Sequence, residues 1–114
     1  MKIEGGFCPR FHKAVELIGR RWTGAIIRVL LSGPARFTEL AAAVPGLSDR
    51  LLSERLRELE DEAIVERVDT GGHEAYALTK KGRELTPVLD SLGQWAERWI
   101  AFEPATRSAS RRAS

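Results

Sequence analysis

Residues Arg36 to Arg67 constrain this chain more than any other stretch, because two helical patterns stand there on either side of a Pro-Gly break. The first, Thr38-Glu39-Leu40-Ala41-Ala42-Ala43-Val44, is helical by propensity and stops at Pro45-Gly46, a breaker followed by a turn. Ser48 then offers a side-chain oxygen to the unbonded N–H groups of a second helix. With successive residues about 100° apart around that helix, Leu52, Leu56, Leu59 and Ala63 share one stripe, which predicts burial. Arg50, Glu54, Arg57 and Asp61 fall opposite, with Ser53 at the margin. This outward face begins basic and turns acidic after Arg57, the polarity expected of a helix whose N-terminal half enters the major groove of DNA. Taken alone, the pattern also fits an ordinary helical hairpin whose charges pair at three- and four-residue spacing on a solvated face.

The next segment shifts the balance. Ile64-Val65-Glu66-Arg67-Val68 and Glu74-Ala75-Tyr76-Ala77-Leu78 read as two strands, joined across Thr70-Gly71-Gly72-His73. Gly-Gly between strand-like runs signals a hairpin. A hairpin directly after the second helix is the wing of a winged helix-turn-helix, and the combination points to DNA binding more strongly than either part.

The flanking segments read as helices. Cys8-Pro9 looks like a cap and a first-turn proline, opening a helix that runs through His12-Lys13-Ala14-Val15-Glu16-Leu17-Ile18 to Gly19. Trp22 to Leu31 forms a second helix with Ile26, Ile27, Leu30 and Leu31 as core, stopped by Ser32-Gly33-Pro34. After a Thr79 cap, Leu85, Val88, Leu92, Trp95 and Trp99 alternate three and four apart, and Leu89 and Ala96 widen the stripe. Pro87 lies inside that pattern, so either the helix kinks there or a new one begins with Thr86 as its cap. The stripe is too wide and too aromatic for a monomer's surface. Two copies about a two-fold axis would bury Leu85, Val88, Leu89, Leu92, Trp95 and Trp99 and set two reading helices one DNA turn apart, ~34 Å. The expected fold is α+β, mainly α: a winged helix-turn-helix domain with terminal helices forming a dimer interface.

At 114 residues with 43% apolar composition the chain holds one domain with a real core. The pattern divides it into a leader over 1–7, the domain over 8–102, and a basic tail over 103–114 with the composition of disorder. No apolar run approaches the ~20 residues of a membrane span, and the N-terminus shows no signal-peptide pattern. One cysteine, Cys8, excludes an internal disulfide and fits a reducing cytoplasm. The formal charge of +2 owes much to Arg107, Arg111 and Arg112 of the tail. Local balance is more telling: Arg20, Arg21, Arg28, Arg36, Arg50, Arg55 and Arg57 face only Glu39, Asp49 and Glu54 over the same span. Positive charge therefore gathers around the proposed reading helix, as phosphate binding requires.

Individual roles follow from reach. Arg50 and Arg57 are suited to guanine O6/N7 or phosphate, and Ser53 to a base edge or phosphate; Ser48, Asp49 and Glu54 share that leading part of the helix. Arg55, at the edge of the buried stripe, suits an internal ion pair or a phosphate. Arg21, Arg36 and Thr38 are placed for phosphate, and His73 is the one potential cation of the wing. Cys8 would put its sulfur among unbonded N–H groups at a helix start with Arg10 and His12 nearby, which favours thiolate and sensing; the alternative is a small buried apolar residue. Cys8, His12 and His73 have no recognisable metal-ligand spacing, no cofactor motif is present, and there is no nucleophile with a placed base, phosphate-cradling glycine loop or carboxylate pair to support catalysis. A DNA-free ligand- or protein-binding dimer module is the competing class.

The ordered set Cys8-Pro9, Leu17-Ile18-Gly19, Arg21-Trp22-Thr23, Gly33-Pro34-x-Arg36-Phe37-x-Glu39-Leu40, Pro45-Gly46-Leu47-Ser48, Leu52-x-x-Arg55-Leu56-Arg57-Glu58-Leu59-Glu60, Tyr76-x-Leu78-Thr79-x-x-Gly82 and Leu85-x-Pro87-Val88-Leu89-x-x-Leu92-x-x-Trp95 resembles the HxlR-type winged-helix regulators of bacteria. The resemblance runs from Cys8 to about Trp99. It implies a homodimer on an inverted-repeat operator in double-stranded DNA, with terminal helices in the dimer contact. It also implies a response to reactive aldehydes, electrophiles or oxidants, in several members through the cysteine that Cys8 matches; a non-covalent small ligand is the other signal to weigh. Two departures stand out: the wing between Arg67 and Tyr76 is about three residues short and lacks the usual arginine tip, and the usual Gly-Gly-Lys before the tryptophan is Gly19-Arg20-Arg21.

Overall fold

The computed structural model describes residues 6–101, so the tail over 103–114 and most of the leader lie outside the described residues. Gly6 and Phe7, assigned by sequence to that leader, are described, and the Phe7 ring sits 5.4 Å from the His12 ring. Six helices and one hairpin follow in order: α1 Pro9–Ile18, α2 Thr23–Leu30, α3 Phe37–Ala43, α4 Asp49–Asp61, β1 Val65–Thr70, β2 His73–Leu78, α5 Lys80–Arg83 and α6 Thr86–Trp99.

Local chemistry sets most of these boundaries. The Ser48 hydroxyl accepts from the Leu51 N–H at 3.1 Å, and the Thr79 hydroxyl accepts from the Gly82 N–H at 3.1 Å, so both expected caps form. At α3 the Arg36 N–H donates to Glu39 Oε1 at 2.7 Å, half of a capping box that arginine, having no acceptor, leaves incomplete. Pro87 starts a new helix instead of kinking an old one. The cap position falls on Leu85, not on Thr86, whose hydroxyl instead donates to the Arg83 carbonyl at 2.6 Å.

The end of α4 corrects a second expectation. Ala63 was placed in the buried stripe by periodicity, but the helix stops at Asp61 and Ala63 is exposed with φ of 58°. Its N–H reaches the Glu60 carbonyl and the Ile64 N–H the Leu59 carbonyl, both at 2.9 Å. This is a Schellman stop built on alanine where glycine is usual.

β1 and β2 pair antiparallel, with Val65 opposite Leu78 and Thr70 opposite His73. Gly71 and Gly72 make the turn at φ of 61° and 85°, the left-handed pair that a two-residue hairpin needs. Asp69 accepts from the Gly72 N–H at 2.9 Å and closes it. Ala35 bridges to Tyr76 through two backbone hydrogen bonds of 2.8 and 2.9 Å, tying the approach to α3 onto β2.

Ile26, Ile27 and Leu30 of α2, Leu40 of α3, Leu52, Leu56 and Leu59 of α4, and Ile64, Val65, Tyr76 and Leu78 of the hairpin region form one buried cluster. Each fully buried aliphatic side chain contributes roughly 1.5–3 kcal/mol. Leu31, expected as core, is only partly buried against it. Gly82 packs so close to the Ile64 carbonyl and the Leu78 side chain that a Cβ there would collide with backbone.

The stripe on α6 divides. Leu89 is 3% exposed within the chain's own core, so it does not belong to an outward interface, and Leu85 is partly buried against that core. Leu89 closes the domain from the same helix whose other apolar residues face away. Val88, Leu92, Trp95, Trp99 and Ile100 remain 50–68% exposed. No residue of α1 is buried, and Phe11 and Val15 stand out from it.

Candidate nucleic-acid interface

α4 carries the face that matters. With Leu52, Leu56 and Leu59 inside, its opposite side presents Asp49, Arg50, Ser53, Glu54 and Arg57, all exposed, behind an exposed Ser48. The solvated-hairpin alternative requires Arg50 to pair with Glu54 and Arg57 with Asp61. Neither pair forms: Glu54 meets Arg55 at 3.3 Å, and among the described residues Arg50, Ser53 and Arg57 have no side-chain hydrogen bond or ion pair. Two guanidiniums and a hydroxyl are thus left directed to solvent along the helix from its start to Arg57. They are forked or short donors suited to base edges and phosphates.

Arg55 has the internal role that its stripe-edge position allowed. It is 8% exposed; its Nε donates to the Arg21 carbonyl at 2.9 Å and its Nη1 lies 3.3 Å from both Glu54 and Glu58. A phosphate contact is therefore not open to it. Glu58 also takes Arg20 Nε at 3.1 Å, so the acidic second half of α4 is engaged by the protein's own arginines. Glu60 continues this pattern by pairing with Arg67 of β1 at 2.9 Å. Arg67 also meets Glu74 at 3.4 Å and sits 5.4 Å from the Tyr76 ring centroid. Burial pushes the Tyr76 phenol up in pKa, against the pull of Arg67.

The other nominated residues are spread more widely. Arg36 and Thr38 lie exposed at the entry of α3, with Arg36 Nη2 3.9 Å from Glu39. Exposed Arg21 lies over the Trp22 ring, 5.1 Å from its centroid. His73 is exposed at the first position of β2, on a hairpin otherwise rich in acid: Glu66, Asp69 and Glu74 are exposed there too. Sequence reasoning missed Trp22, Glu58, Glu60 and Arg67 as the residues that hold α4 and the wing in place. The isolated Arg67 within an acidic run was the available signal.

Cys8 caps α1: its Sγ accepts from the Phe11 N–H at 3.5 Å, with Pro9 next in the helix. The residue is 9% exposed, so the capping position and the burial expected of a small apolar residue occur together. His12 meets Glu16 at 3.5 Å and the Phe7 ring, and serves that contact set. Among the described residues no three His, Cys, Asp or Glu side chains gather as metal ligands, and no helix is long and apolar enough to cross a membrane.

This geometry has known counterparts. The family model for HxlR-like helix-turn-helix proteins matches residues 17–104. The HTH-type transcriptional regulator YvaP of Bacillus subtilis is 48% identical over 96 residues, covering 82% of this chain and 89% of its own. The quinone-bound structure of YodB from B. subtilis is 42% identical with a TM-score of 0.73, over 82% of this chain and 100% of that one. The redox regulator HypR in its oxidised form is 31% identical with a TM-score of 0.75, over 83% of this chain and 100% of that one. With the wing, the reading-helix geometry and the family model agreeing over most of its length, the chain belongs to the HxlR-like helix-turn-helix family and is an HxlR-type transcriptional regulator.

Proposed function

We propose that two copies of the chain bind an inverted-repeat DNA operator, each placing the first half of α4 in the major groove. Arg50, Ser53, Glu54 and Arg57 face the bases, with Ser48 and Asp49 at the helix start. Arg21, Arg36 and Thr38 meet phosphates, and His73 is the wing's contact residue. The observation that carries this reading is the set of unengaged donors Arg50, Ser53 and Arg57 on a helix whose opposite face is buried. Support for the second copy comes from the exposed Val88, Leu92, Trp95 and Trp99. The short acidic hairpin gives less to DNA than α4 does, since its one arginine, Arg67, is held by Glu60 and Glu74.

The same reading makes Cys8 the sensor. YodB has been seen with quinone bound and HypR in an oxidised form. At Cys8 the thiol would lose its proton and its sulfur would bond to a quinone ring carbon; the ring takes the electron pair, and the thiol proton and the hydrogen released from that carbon end on the two ring oxygens, leaving a hydroquinone thioether. Bulk added at the α1 cap, beside the exposed Phe7 and Phe11, would change how two subunits meet and so the spacing of their reading helices. Band shifts on a duplex selected from a random library by the parent protein test this, before and after quinone treatment, for parent and Cys8→Ser. The parent should lose affinity on treatment and Cys8→Ser should keep it. Unchanged parental affinity after stoichiometric modification would assign the signal to a non-covalent ligand.

A further inference from the structure

The junction between α1 and α2 makes contacts that neither the core nor the exposed face of α4 explains. Gly19 ends α1 with its N–H on the Val15 carbonyl at 2.7 Å, and a Cβ there would stand 2.8 Å from that oxygen, so the chain leaves the helix by a path open to glycine. Three residues later Trp22 takes φ of 78°, a left-handed conformation that a bulky residue keeps only when its surroundings hold it.

Those surroundings are the reading unit itself. The edge of the Trp22 ring lies against Gly46, in the turn that precedes α4, at a spacing where a Cβ on Gly46 would be 3.4 Å from the ring. On the other side of Trp22, the Arg21 carbonyl receives Arg55 Nε at 2.9 Å, and Arg20 Nε meets Glu58 at 3.1 Å. Three consecutive residues, Arg20, Arg21 and Trp22, therefore hold α4 at two places, its entry turn and its middle. Arg50, Ser53, Glu54 and Arg57 lie on or near the segment between these supports. Two supports on a rod define its direction.

We propose that the Gly19–Trp22 junction sets the tilt of α4, with Arg55 and Trp22 acting as positioning residues that touch no DNA themselves. The inference rests on the reading role of α4 proposed above. It also gives the route by which a displacement of α1 reaches the DNA-facing side chains, since the junction is the direct continuation of that helix. Base-edge hydrogen bonds depend on angle and distance, whereas attraction to phosphate is less sensitive to small rotations. A loosened junction should accordingly affect base preference before overall affinity.

Arg55→Lys is the discriminating variant, because lysine keeps the charge and loses the planar fork. Affinities for the selected duplex and for a scrambled one, each at two salt concentrations, give a specificity ratio and a salt slope. Arg55→Lys should lower the ratio about tenfold, the equivalent of one base contact, and leave the slope unchanged. Trp22→Phe, with a smaller ring on Gly46, should lower it less and in the same sense, and carries the test alone if Arg55→Lys does not fold. Partial unfolding by itself would reduce binding to both duplexes equally and leave the ratio intact. A parental ratio in the folded variants overturns the inference, as does an equal loss of affinity for both duplexes with the ratio preserved. If the parent selects no duplex at all, the reading role of α4 fails first and the positioning role with it.

Discussion

α4 and α6 are nearly equal in length, 13 and 14 residues, and each carries an apolar stripe at three- and four-residue spacing, yet they use it in opposite ways. On α4 the whole stripe of Leu52, Leu56 and Leu59 is inside, and the exposed face is polar and basic at its start. On α6 the core takes Leu89 and part of Leu85, while Val88, Leu92, Trp95 and Trp99 face outward. An amphipathic pattern therefore identifies a face that must be covered without identifying what covers it. For α4 the cover is α2, α3 and the hairpin of the same chain. The outer side of α6 has no such cover among the described residues, and α1, which buries none of its own, adds Phe11 and Val15 to the uncovered surface.

Substitutions separate the two helices. Leu56→Ala should remove about 2–5 kcal/mol of stability, read by urea unfolding, because it leaves a cavity in a closed core. Replacing Leu92 and Trp95 together by glutamate should leave the monomer folded, halve the mass seen by light scattering, and weaken binding to the selected duplex by about a hundredfold through loss of the second reading helix. Scattering that still reports dimers would move the interface to α1. The smallest effect falls at the end of α4: Ala63→Gly should stabilise the chain by about 1 kcal/mol, seen as a higher midpoint of thermal unfolding, by relieving the left-handed alanine.

The sequence was most legible where a local rule had one physical solution. Ser48 and Thr79 cap because a hydroxyl before a helix has unbonded N–H groups within reach, and Gly71-Gly72 turns because both positions need positive φ. The burial of Leu52, Leu56 and Leu59 followed from periodicity for the same reason. Ala63 failed that rule because a Schellman stop, usually announced by glycine, stands here on alanine. Leu89 turned inward because a stripe wider than one contact surface can be shared between two, and spacing does not say where the division falls. The grip of Arg20, Arg21 and Trp22 on α4 depends on residues 24 or more positions apart, a separation at which pattern carries no information about contact.

The claim on which the rest depends is that the exposed start of α4 reads bases. Its most direct test is band-shift titration of Arg50→Ala and Arg36→Ala against the selected and scrambled duplexes at two salt concentrations. Arg50→Ala should lose discrimination, by roughly 1–3 kcal/mol, mainly at one base position in each half-site. Arg36→Ala should weaken both duplexes alike and flatten the salt slope. Arg50→Ala binding with the parent's affinity and preference would contradict the claim, and would show that the face left unengaged by the fold is not the one that meets DNA.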